Sequence, residues 1–393
     1  MSILSAFKAA KRNLKSRIFW AITEIIRIAV PKGKSDALLV MKIDALGDLF
    51  VWFSSGIQQF SEYCKTYPDG AKILVREELA DFISELGLFE EVLPINVAAF
   101  RSNLGYRIKL LCRLRRHGFG EIIQARIARD FLTEDLITRT VDAAVARSAK
   151  GDHHNLSPWE ARVGDRWYRT ILHVDAHSGH ELERNRALSA AALGTAPRRF
   201  HLSTAPARPP AGLRSNYFVI APGAGWAPRR WPLDKFVELA RRSTAAGLQC
   251  VVVGGRGDAS DGERIRTALG GDALNLCGTL SHLDLAALVK SATIVIGNES
   301  GPAHIAAYFN VPSLAILGGG HYGWFMPYPD APLGVRPPRV AIASMPCFGC
   351  NWICQYQVDK HAPVPCIRDV SVEAAWLEIS AALNERTPSP VAG

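Results

Sequence analysis

Residues 292–318 read ATIVIGNESGPAHIAAYFNVPSLAILG, and this stretch indicates the fold most clearly. The β-branched apolar run 293–296 predicts a buried strand, and 313–317 predicts a second one. A helix is expected over about 303–309, after the glycine-containing turn 297–302. A strand followed by a turn and a helix N-terminus presents backbone N–H groups and a positive dipole end, which suits a phosphate group.

Three side chains of this turn are candidate ligand contacts. Ser300 can add a hydroxyl to a phosphate site, and His304 in the first helical turn would face the same place. Glu299 suits the hydroxyls of a ligand better than its phosphates. The alternative is an ordinary turn, with Ser300 as the helix cap and His304 as a satisfied surface histidine. The residues alone leave both interpretations open.

Length and charge limit the classes of protein to which this chain can belong. The 393 residues have room for two domains, and 48% hydrophobic with 21% charged residues is typical of a soluble globular chain. The net charge of +9 favours acidic partners such as a nucleotide, an anionic membrane surface or a phosphorylated glycan. Zinc-finger, RRM and KH signatures are absent from the sequence, so no nucleic-acid partner is expected.

The N-terminal segment predicts a basic amphipathic helix. No apolar run in it approaches the roughly 18 residues that cross a bilayer, and it lacks a clear signal-peptide pattern. With Phe19 and Trp20, such a helix could lie in a membrane interface, and the alternative is a helix packed on its own domain. The apolar residues at helical spacing are Phe7, Ala10, Leu14, Ile18, Ala21, Ile25 and Ile28, with Lys8, Lys11, Arg12, Lys15, Arg17 and Arg27 between them.

A first α/β domain is predicted to begin with the strand 37–41. Gly47 and Asp48 then fall in the first turn between a strand and a helix, at the edge where open α/β sheets bind ligands. Asp48 suits either a helix cap or a base that removes a proton from an incoming hydroxyl. A basic group further on is typical of a solvated face, or alternatively contacts an acidic acceptor or a membrane; it consists of Arg113, Arg115, Arg116 and His117.

The alternation of predicted strands and helices resumes after a proline-rich stretch at 204–210. Three predicted strands there end in glycine-containing turns, at 222–226, 254–258 and 297–302. None completes a dinucleotide-binding fingerprint, but together they predict a nucleotide along one strand edge, with Gly223 in the first turn. Arg229 and Arg230, just before a helix, could neutralise phosphate charge or be exposed linker residues.

Eight cysteines fall into two groups. Cys64, Cys112, Cys250 and Cys277 are scattered and typical of small core residues. Cys347, Cys350, Cys354 and Cys366 have the spacing C-x2-C-x3-C-x11-C, which permits a structural four-thiolate zinc site. Free or locally paired thiols are the alternative, and disulfides are disfavoured in the reducing cytoplasm that we expect without a secretion signal.

Taken in order, these pieces resemble the lipopolysaccharide heptosyltransferase family, glycosyltransferase family 9, from about residue 37 to residue 372. The matching pieces are MKIDALGD (41–48), HELERN (180–185), PGAG (222–225), RRWP (229–232), VGG (253–255), CGTL (277–280) and NESGPAH (298–304).

The resemblance implies an α/β protein of the GT-B fold, with two Rossmann-like domains facing each other across a cleft. The expected organisation is the basic helix at 1–33, an acceptor-side domain at 34–203, a linker at 204–213, a nucleotide-sugar domain with the cysteine cluster at 214–370, and a helix that crosses back, with a tail, at 371–393.

The resemblance also implies roles for single residues. Asp48 matches the family's general base, and Arg229 stands where a lysine that stabilises the departing diphosphate is usual. Glu299 stands where an aspartate is commoner, at the sugar hydroxyls. Ser300, Gly301 and His304 would hold the pyrophosphate, and Thr279 and Leu280 match positions that contact adenosine.

The expected function is inverting, metal-independent transfer of a heptose or similar sugar from a nucleotide-sugar such as ADP-heptose. The acceptor would be a lipid-linked glycan of the lipopolysaccharide core, reached from the inner face of the bacterial inner membrane. The alternatives are a family member with another donor for a different surface glycan, a nucleotide-sugar epimerase of the same fold, and a non-catalytic binder. No cofactor is expected to be required for catalysis.

Overall fold

The computed structural model describes residues 3–150, 156–172, 179–194, 202, 210–329, 335–356 and 359–384, with side chains from residue 11 onward. The contacts divide the chain into two compact units. The first contains Met1–Ala45 and Ser55–Phe200, and the second contains Leu46–Ser54 and His201–Gly393. Most of the predicted linker 204–213 lies outside the described residues.

The first part of the chain alternates helices and strands. In chain order they are α1 (Ile3–Ala29), β1 (Leu38–Lys42), α2 (Leu46–Phe53), α3 (Ile57–Cys64), β2 (Ala71–Arg76), α4 (Ala80–Glu85), β3 (Glu91–Ile95), α5 (Val97–Ser102), α6 (Leu104–His117), β4 (Glu121–Gln124), α7 (Leu136–Val141), β5 (Val145–Ala149), α8 (Pro158–Asp165), β6 (Thr170–Leu172) and α9 (Glu181–Leu193).

The second part repeats the alternation. Its elements are β7 (Tyr217–Ala221), α10 (Leu233–Ala245), β8 (Gln249–Val252), α11 (Ala259–Leu269), β9 (Leu274–Asn275), α12 (His282–Ser291), β10 (Ile294–Asn298), α13 (Gly301–Tyr308), β11 (Ser313–Ile316), β12 (Arg339–Ala341), α14 (Pro365–Arg368) and α15 (Val372–Asn384).

Each unit is built on a six-stranded sheet whose described strand pairs are all parallel. The orders are β3-β2-β1-β4-β5-β6 and β12-β11-β10-β7-β8-β9, so each sheet has the strand order of a Rossmann fold. Every residue of β1, β7 and β10 is buried, as expected for parallel strands covered on both faces. The predicted α/β architecture of two Rossmann-like sheets is confirmed.

The helix α2 belongs to the second unit, whereas the predicted boundaries placed 46–54 in the first domain. The physical reason is aromatic packing against α13. The Phe50 and Phe53 rings lie 5.4 and 6.1 Å from the ring of Tyr308, and Phe50 lies 6.3 Å from Phe309. The sequence also predicts a single helix from the turn after β1 through Phe60, and this prediction is wrong, because the chain turns between α2 and α3.

The last helix, α15, was expected to cross back to the first domain, and this expectation is wrong. Its buried residues Ala375, Ile379 and Ala382 are part of the core of the second unit. Arg339 of β12 donates to Glu378 at 2.8 Å and fixes the same helix. The apolar face of α15 is therefore used within the second unit.

The N-terminal helix α1 packs on the first unit through part of its circumference. Ile26 and the following Val30 enter the core of that unit. The aromatic residues predicted for a membrane interface face inward instead, and Trp20 lies 5.9 Å from both Trp159 and Trp167. None of the described helices combines the length and the apolar character needed to span a bilayer.

The basic group at the end of α6 is only partly a solvated face. Arg115 is buried and donates to the carbonyl oxygens of Val30 and Thr140 at 2.6 and 2.8 Å. Arg113 pairs with Glu91 at 3.1 Å. This part of α6 therefore fastens the end of α1 and the end of α7 to the first unit.

Glu24 joins α1 to α7 and gives a testable pH dependence. Burial works to raise the pKa of Glu24, but hydrogen bonds from Arg139 and Arg27 outweigh it and lower the pKa from 4.5 to about 2. The carboxylate therefore stabilises the fold above its unfolded pKa, and this contribution is lost as the pH falls toward 2. We expect Glu24→Gln to lower the free energy of unfolding by about 0.5–1 kcal/mol at pH 7 and by less below pH 4, as measured in urea.

Glu85→Gln, at an exposed position of α4, is the matched control and should change the free energy of unfolding by less than about 0.5 kcal/mol at either pH. A Glu24→Gln effect of equal size at pH 7 and pH 3 would contradict the ionic origin of this contact.

Candidate active site

The strand order of the second sheet reverses between β7 and β10, which makes this place its switch point. Gly297 lies opposite Ala221 in parallel register, so the turns that follow the two strands lie side by side. Ligands of open α/β sheets bind outside the carboxyl ends of the strands at such a point. Two of the three predicted glycine-containing turns, 222–226 and 297–302, therefore meet here.

Asn298 fastens these two turns together. The side chain is buried, and its Nδ2 donates to the carbonyl oxygen of Pro222 at 2.7 Å. Its Oδ1 accepts from the backbone N–H of Trp231 at 3.0 Å. Sequence reasoning included Asn298 in the family motif but assigned it no role.

Ser300 precedes α13 without capping it through its side chain. The backbone is extended, with φ −158° and ψ 176°, and no side-chain capping hydrogen bond is present at this residue. The hydroxyl donates instead to the carbonyl oxygen of Asn298 at 3.1 Å. Ser300 therefore occupies the N-cap position but its side chain does not cap the helix, and the N–H groups at the start of α13 point to where an anion would be stabilised.

Gly47 lies against the start of α13, and a side chain there would be crowded. A Cβ atom would be 3.0 Å from Cδ2 of His304 and 3.3 Å from Cα of Gly301. Asp48 follows in the first turn of α2 and is half-buried. The packing of α2 on α13 thus brings Asp48 to the same helix start as Ser300 and Gly301.

His304 is only 5% exposed, so its interpretation as a surface histidine is wrong. Its Nδ1 lies 2.8 Å from the phenol oxygen of Tyr328, and the two rings stack. Burial raises the pKa of Tyr328, and the nearby charges of Asp48 and Glu299 raise it further. The phenol therefore stays protonated at neutral pH, in contact with His304 and within electrostatic reach of Asp48 and Glu299. Sequence reasoning missed Tyr328, which lies in a loop without periodic signal.

Arg229 and Glu299 form an ion pair at the same edge. Arg229 Nη2 donates to Oε2 of Glu299 at 2.5 Å and to its carbonyl oxygen at 3.2 Å. Burial raises the pKa of Glu299, and the charge of Arg229 opposes this shift. The guanidinium also lies over the ring of Trp352, 4.9 Å from its centre. Arg229 is therefore held in place rather than being an exposed linker residue.

Arg230 has a different set of partners. It donates to Asp258 at 2.7 Å and reaches Asp261 at 3.4 Å. A Cβ at Gly223 would be 2.5 Å from Oδ2 of Asp258, which explains the glycine in that turn. Arg230 thus ties the turn after β7 to the start of α11, and the observed contacts give it a structural role.

The predicted adenosine contacts lie further along the sheet edge. Thr279 and Leu280 follow β9, which is three strands from β10 in the sheet order. Thr279 is exposed, and its hydroxyl donates to the carbonyl oxygen of Leu276 at 2.9 Å. They lie on the carboxyl edge of the same sheet but are not part of the Asp48 and Arg229 group.

The four clustered cysteines line one cavity of about 10 Å³, together with Trp352. Burial raises the pKa of Cys366, whose sulfur accepts from the backbone N–H of Gly319 at 3.4 Å. Within the described part of the chain, no three His, Cys, Asp or Glu side chains are arranged to hold a metal ion. The predicted zinc site therefore gains no support.

The segment that carries the cysteines instead places Trp352 under Arg229 and against the loop after β11. A Cβ at Gly320 would be 2.2 Å from the Trp352 ring. Nothing in the sequence pattern pointed to Trp352, because its contacts depend on a loop with positive φ at both Asn351 and Trp352.

Comparison with known proteins identifies the family to which the chain belongs. The model of glycosyltransferase family 9 (heptosyltransferase) matches residues 135–346, and the chain belongs to this family. Lipooligosaccharide heptosyltransferase 2 of Haemophilus influenzae is 34% identical over 104 residues, which are 25% of this chain and 30% of that protein. The chain thus aligns with about 30% of the length of that relative.

Two solved structures share the fold. The ADP-heptose lps heptosyltransferase II of E. coli has a TM-score of 0.61 and 17% identity, covering 89% of this chain and 99% of that one. The family 9 glycosyl transferase from Veillonella parvula DSM 2008 has a TM-score of 0.65 and 15% identity, covering 90% and 99%. These likenesses confirm the GT-B type of α/β fold.

Proposed function

We propose that this protein transfers a heptose, or a similar sugar, from a nucleotide-sugar to a glycan acceptor of lipopolysaccharide assembly, with inversion and without a metal ion. The observation that carries the proposal is the grouping of Asp48, Arg229, Glu299 and His304 at the start of α13, at the switch point of the second sheet.

ADP-heptose is the proposed donor. Its diphosphate would lie at the N-terminus of α13, where backbone N–H groups and the helix dipole stabilise negative charge. The structural relative from E. coli is named for ADP-heptose, which supports this choice of donor. Thr279 and Leu280, further along the same edge, are the proposed contacts of the nucleoside.

In the proposed reaction, Asp48 accepts the proton of an acceptor hydroxyl while its oxygen attacks the anomeric carbon. The bond between that carbon and the diphosphate oxygen breaks, and the diphosphate leaves with the electron pair. One carboxylate is sufficient because inversion needs no covalent glycosyl-enzyme. Arg229 and the start of α13 stabilise the charge of the departing diphosphate.

In this proposal His304 is neutral, and Tyr328 selects its tautomer. Since the phenol stays protonated, it can donate to Nδ1 of His304 across the 2.8 Å contact. The neutral imidazole then carries its proton on Nε2 and can donate it to a phosphate oxygen. Glu299, held by Arg229, is the proposed acceptor for the sugar hydroxyls.

A thermal-shift panel without added metal tests the donor. Ligands that bind only the folded state raise the unfolding midpoint according to their affinity. We expect ADP and ADP-heptose to raise it and UDP, GDP and UDP-sugars to have little effect. Preference for UDP or GDP compounds would replace the donor within the family. No shift with any of them would overturn the assignment of Ser300 and His304 and favour a non-catalytic role.

The proposed place of action is the cytoplasmic face of the inner membrane, through α1. Although one side of α1 packs on the first unit, Leu14, Ile18, Ile25 and Ile28 are between 52% and 80% exposed. Spacings of four, seven and three residues put them on one stripe of the helix. The exposed side chains of Lys11 and Arg17 flank the stripe, which suits an anionic bilayer surface.

Replacing part of this stripe should weaken membrane binding. We expect Ile18→Ser/Ile25→Ser to bind anionic vesicles at least about tenfold more weakly in a co-sedimentation assay, because two apolar side chains no longer enter the interface. Leu377→Ser, at a position of α15 that is 68% exposed, is the control and should bind like the wild type. Equal vesicle binding by the wild type and both variants would show that α1 is not the membrane contact.

A further inference from the structure

A polar cavity lies in the first unit, and of its lining residues only Glu160 falls within the range that the family model matches. Its volume is about 480 Å³, within the range of sites for small ligands. Four of its lining residues are cationic and two are carboxylates. The lining consists of Arg12, Lys15, Arg101, Arg126, Ala128, Asp130, Leu132 and Glu160. All four cations precede residue 135, where the family match begins.

The cavity has a rigid frame of buried carboxylates. Glu160 is fully buried and accepts from Arg12 at 2.8 Å, from Ser16 at 2.6 Å and from the backbone of Ser157 at 2.7 Å. It therefore joins α1 to α8 and caps α8 at the same time. These bonds occupy the acceptor positions of the Glu160 carboxylate. Because Arg12 also compensates its negative charge, Glu160 repels an incoming anion only weakly.

Arg126 is held at the inner side of the cavity. Its guanidinium pairs with Asp44 at 2.6 Å and with Glu134 at 3.0 Å, and both carboxylates are buried. The side chain remains 27% exposed toward solvent. A guanidinium fixed in this way loses little further freedom when it binds a phosphate bidentately.

The position of the cavity is that of a ligand site. Arg126 comes two residues after the carboxyl end of β4, and Asp44 comes two residues after that of β1. These strands flank the switch point of the first sheet, so the cavity adjoins the edge where open α/β sheets bind ligands. Lys15 and Arg101 complete it from α1 and α5, with Arg101 paired to Asp130 at 3.1 Å.

We propose that this cavity, which we call the α1 pocket, binds a phosphate group, carried either by a lipid-linked molecule or by a soluble ester. Three of its four cations, Arg12, Arg101 and Arg126, are fixed in place by carboxylates, and Lys15 adds a further positive charge to the lining. Lys15 is next in sequence to Leu14 of the exposed stripe, so α1 contributes to both the pocket and the apolar surface. The assignment of the phosphate to the glycan acceptor rests on the proposed function, whereas the existence of the pocket does not.

The test compares two double variants that remove the same charges. Lys15→Gln/Arg101→Gln removes two cations from the pocket and leaves Arg12 and Arg126 to hold the buried carboxylates. Lys65→Gln/Arg241→Gln removes one exposed lysine and one exposed arginine that lie outside both the pocket and α1, and it is the matched control. Phosphate that binds at α13 contributes equally to both variants, so their difference reports the α1 pocket.

Two probes distinguish the sources of the phosphate. Inorganic phosphate is titrated against chloride at equal ionic strength, with the unfolding midpoint as readout. Phosphatidylcholine vesicles with and without phosphatidic acid are used in co-sedimentation. Neither measurement needs a nucleotide or sugar transfer, so a failure here is separate from a failure of the proposed function.

We expect the pocket variant to bind inorganic phosphate about tenfold or more weakly than the control, which should behave like the wild type. A matching loss on phosphatidic acid vesicles would identify a lipid-borne phosphate, and a loss with inorganic phosphate alone would identify a soluble ester. Equal behaviour of the two variants with both probes would overturn the proposal.

Discussion

Asp48→Asn is expected to lower the turnover number of sugar transfer by about 10²- to 10⁴-fold while leaving the affinity for ADP unchanged. The amide has nearly the shape of the carboxylate but cannot accept the proton of the acceptor hydroxyl. Because Asp48 lies beside Tyr328 at the start of α13, removing its charge changes the site electrostatically without removing packing atoms. Turnover is measured with ADP-heptose and acceptor, and ADP affinity by calorimetry.

Asp234→Asn is the matched control for this substitution. Asp234 also lies in the first turn of a helix, α10, and is exposed. Both variants lose the small stabilisation of a helix N-terminus by a carboxylate, so this effect cancels in the comparison. Full turnover in Asp48→Asn would show that another group accepts the proton. Loss of ADP binding together with turnover would instead place Asp48 in the donor site.

Arg229→Ala is expected to lower the turnover number of sugar transfer by about 10²- to 10³-fold, which is the second large effect. The guanidinium is the side-chain cation paired with Glu299, at the helix start where the diphosphate charge would develop. The same change leaves the buried Glu299 carboxylate without its cation, which should lower the free energy of unfolding by about 1–3 kcal/mol.

The double variant Arg229→Ala/Glu299→Gln separates these two consequences. Removing the buried charge of Glu299 should restore most of the lost stability but none of the turnover. Arg229→Lys keeps a positive charge without the bidentate geometry and should retain part of the rate. Recovery of turnover in the double variant would show that the pair is structural and that Arg229 does not act on the leaving group.

The fold was predictable because parallel strands buried on both faces leave continuous apolar runs in the sequence. β1 and β10 are such runs, and each is followed within five residues by a glycine in the first turn of a helix. By contrast, two of the five residues of β5 are incompletely buried, and β6 has three residues of which one is buried, so residues 132–172 give only a weak sequence signal. A local sequence pattern therefore identifies strands that are buried along their whole length, and it misses strands that are partly exposed.

The site was predictable in part. Gly47, Asp48, Ser300 and His304 were expected from turns at strand ends, and the structure places them at one helix start. Tyr328 and Trp352 come from irregular loops, where no spacing connects a side chain with its target. The pairing of Arg229 with Glu299 joins residues 70 positions apart and depends on the packing of two turns.

The membership of α2 in the second unit also bears on how the chain folds during synthesis. The aromatic side of α2, with Phe50, is made early, while Tyr308 and Phe309 are made more than two hundred residues later. At about 5–20 residues per second, that delay lasts roughly 13 to 50 seconds. Until then α2 lacks the partner that buries its aromatic side, and we expect chaperones on the ribosome to bind the nascent chain.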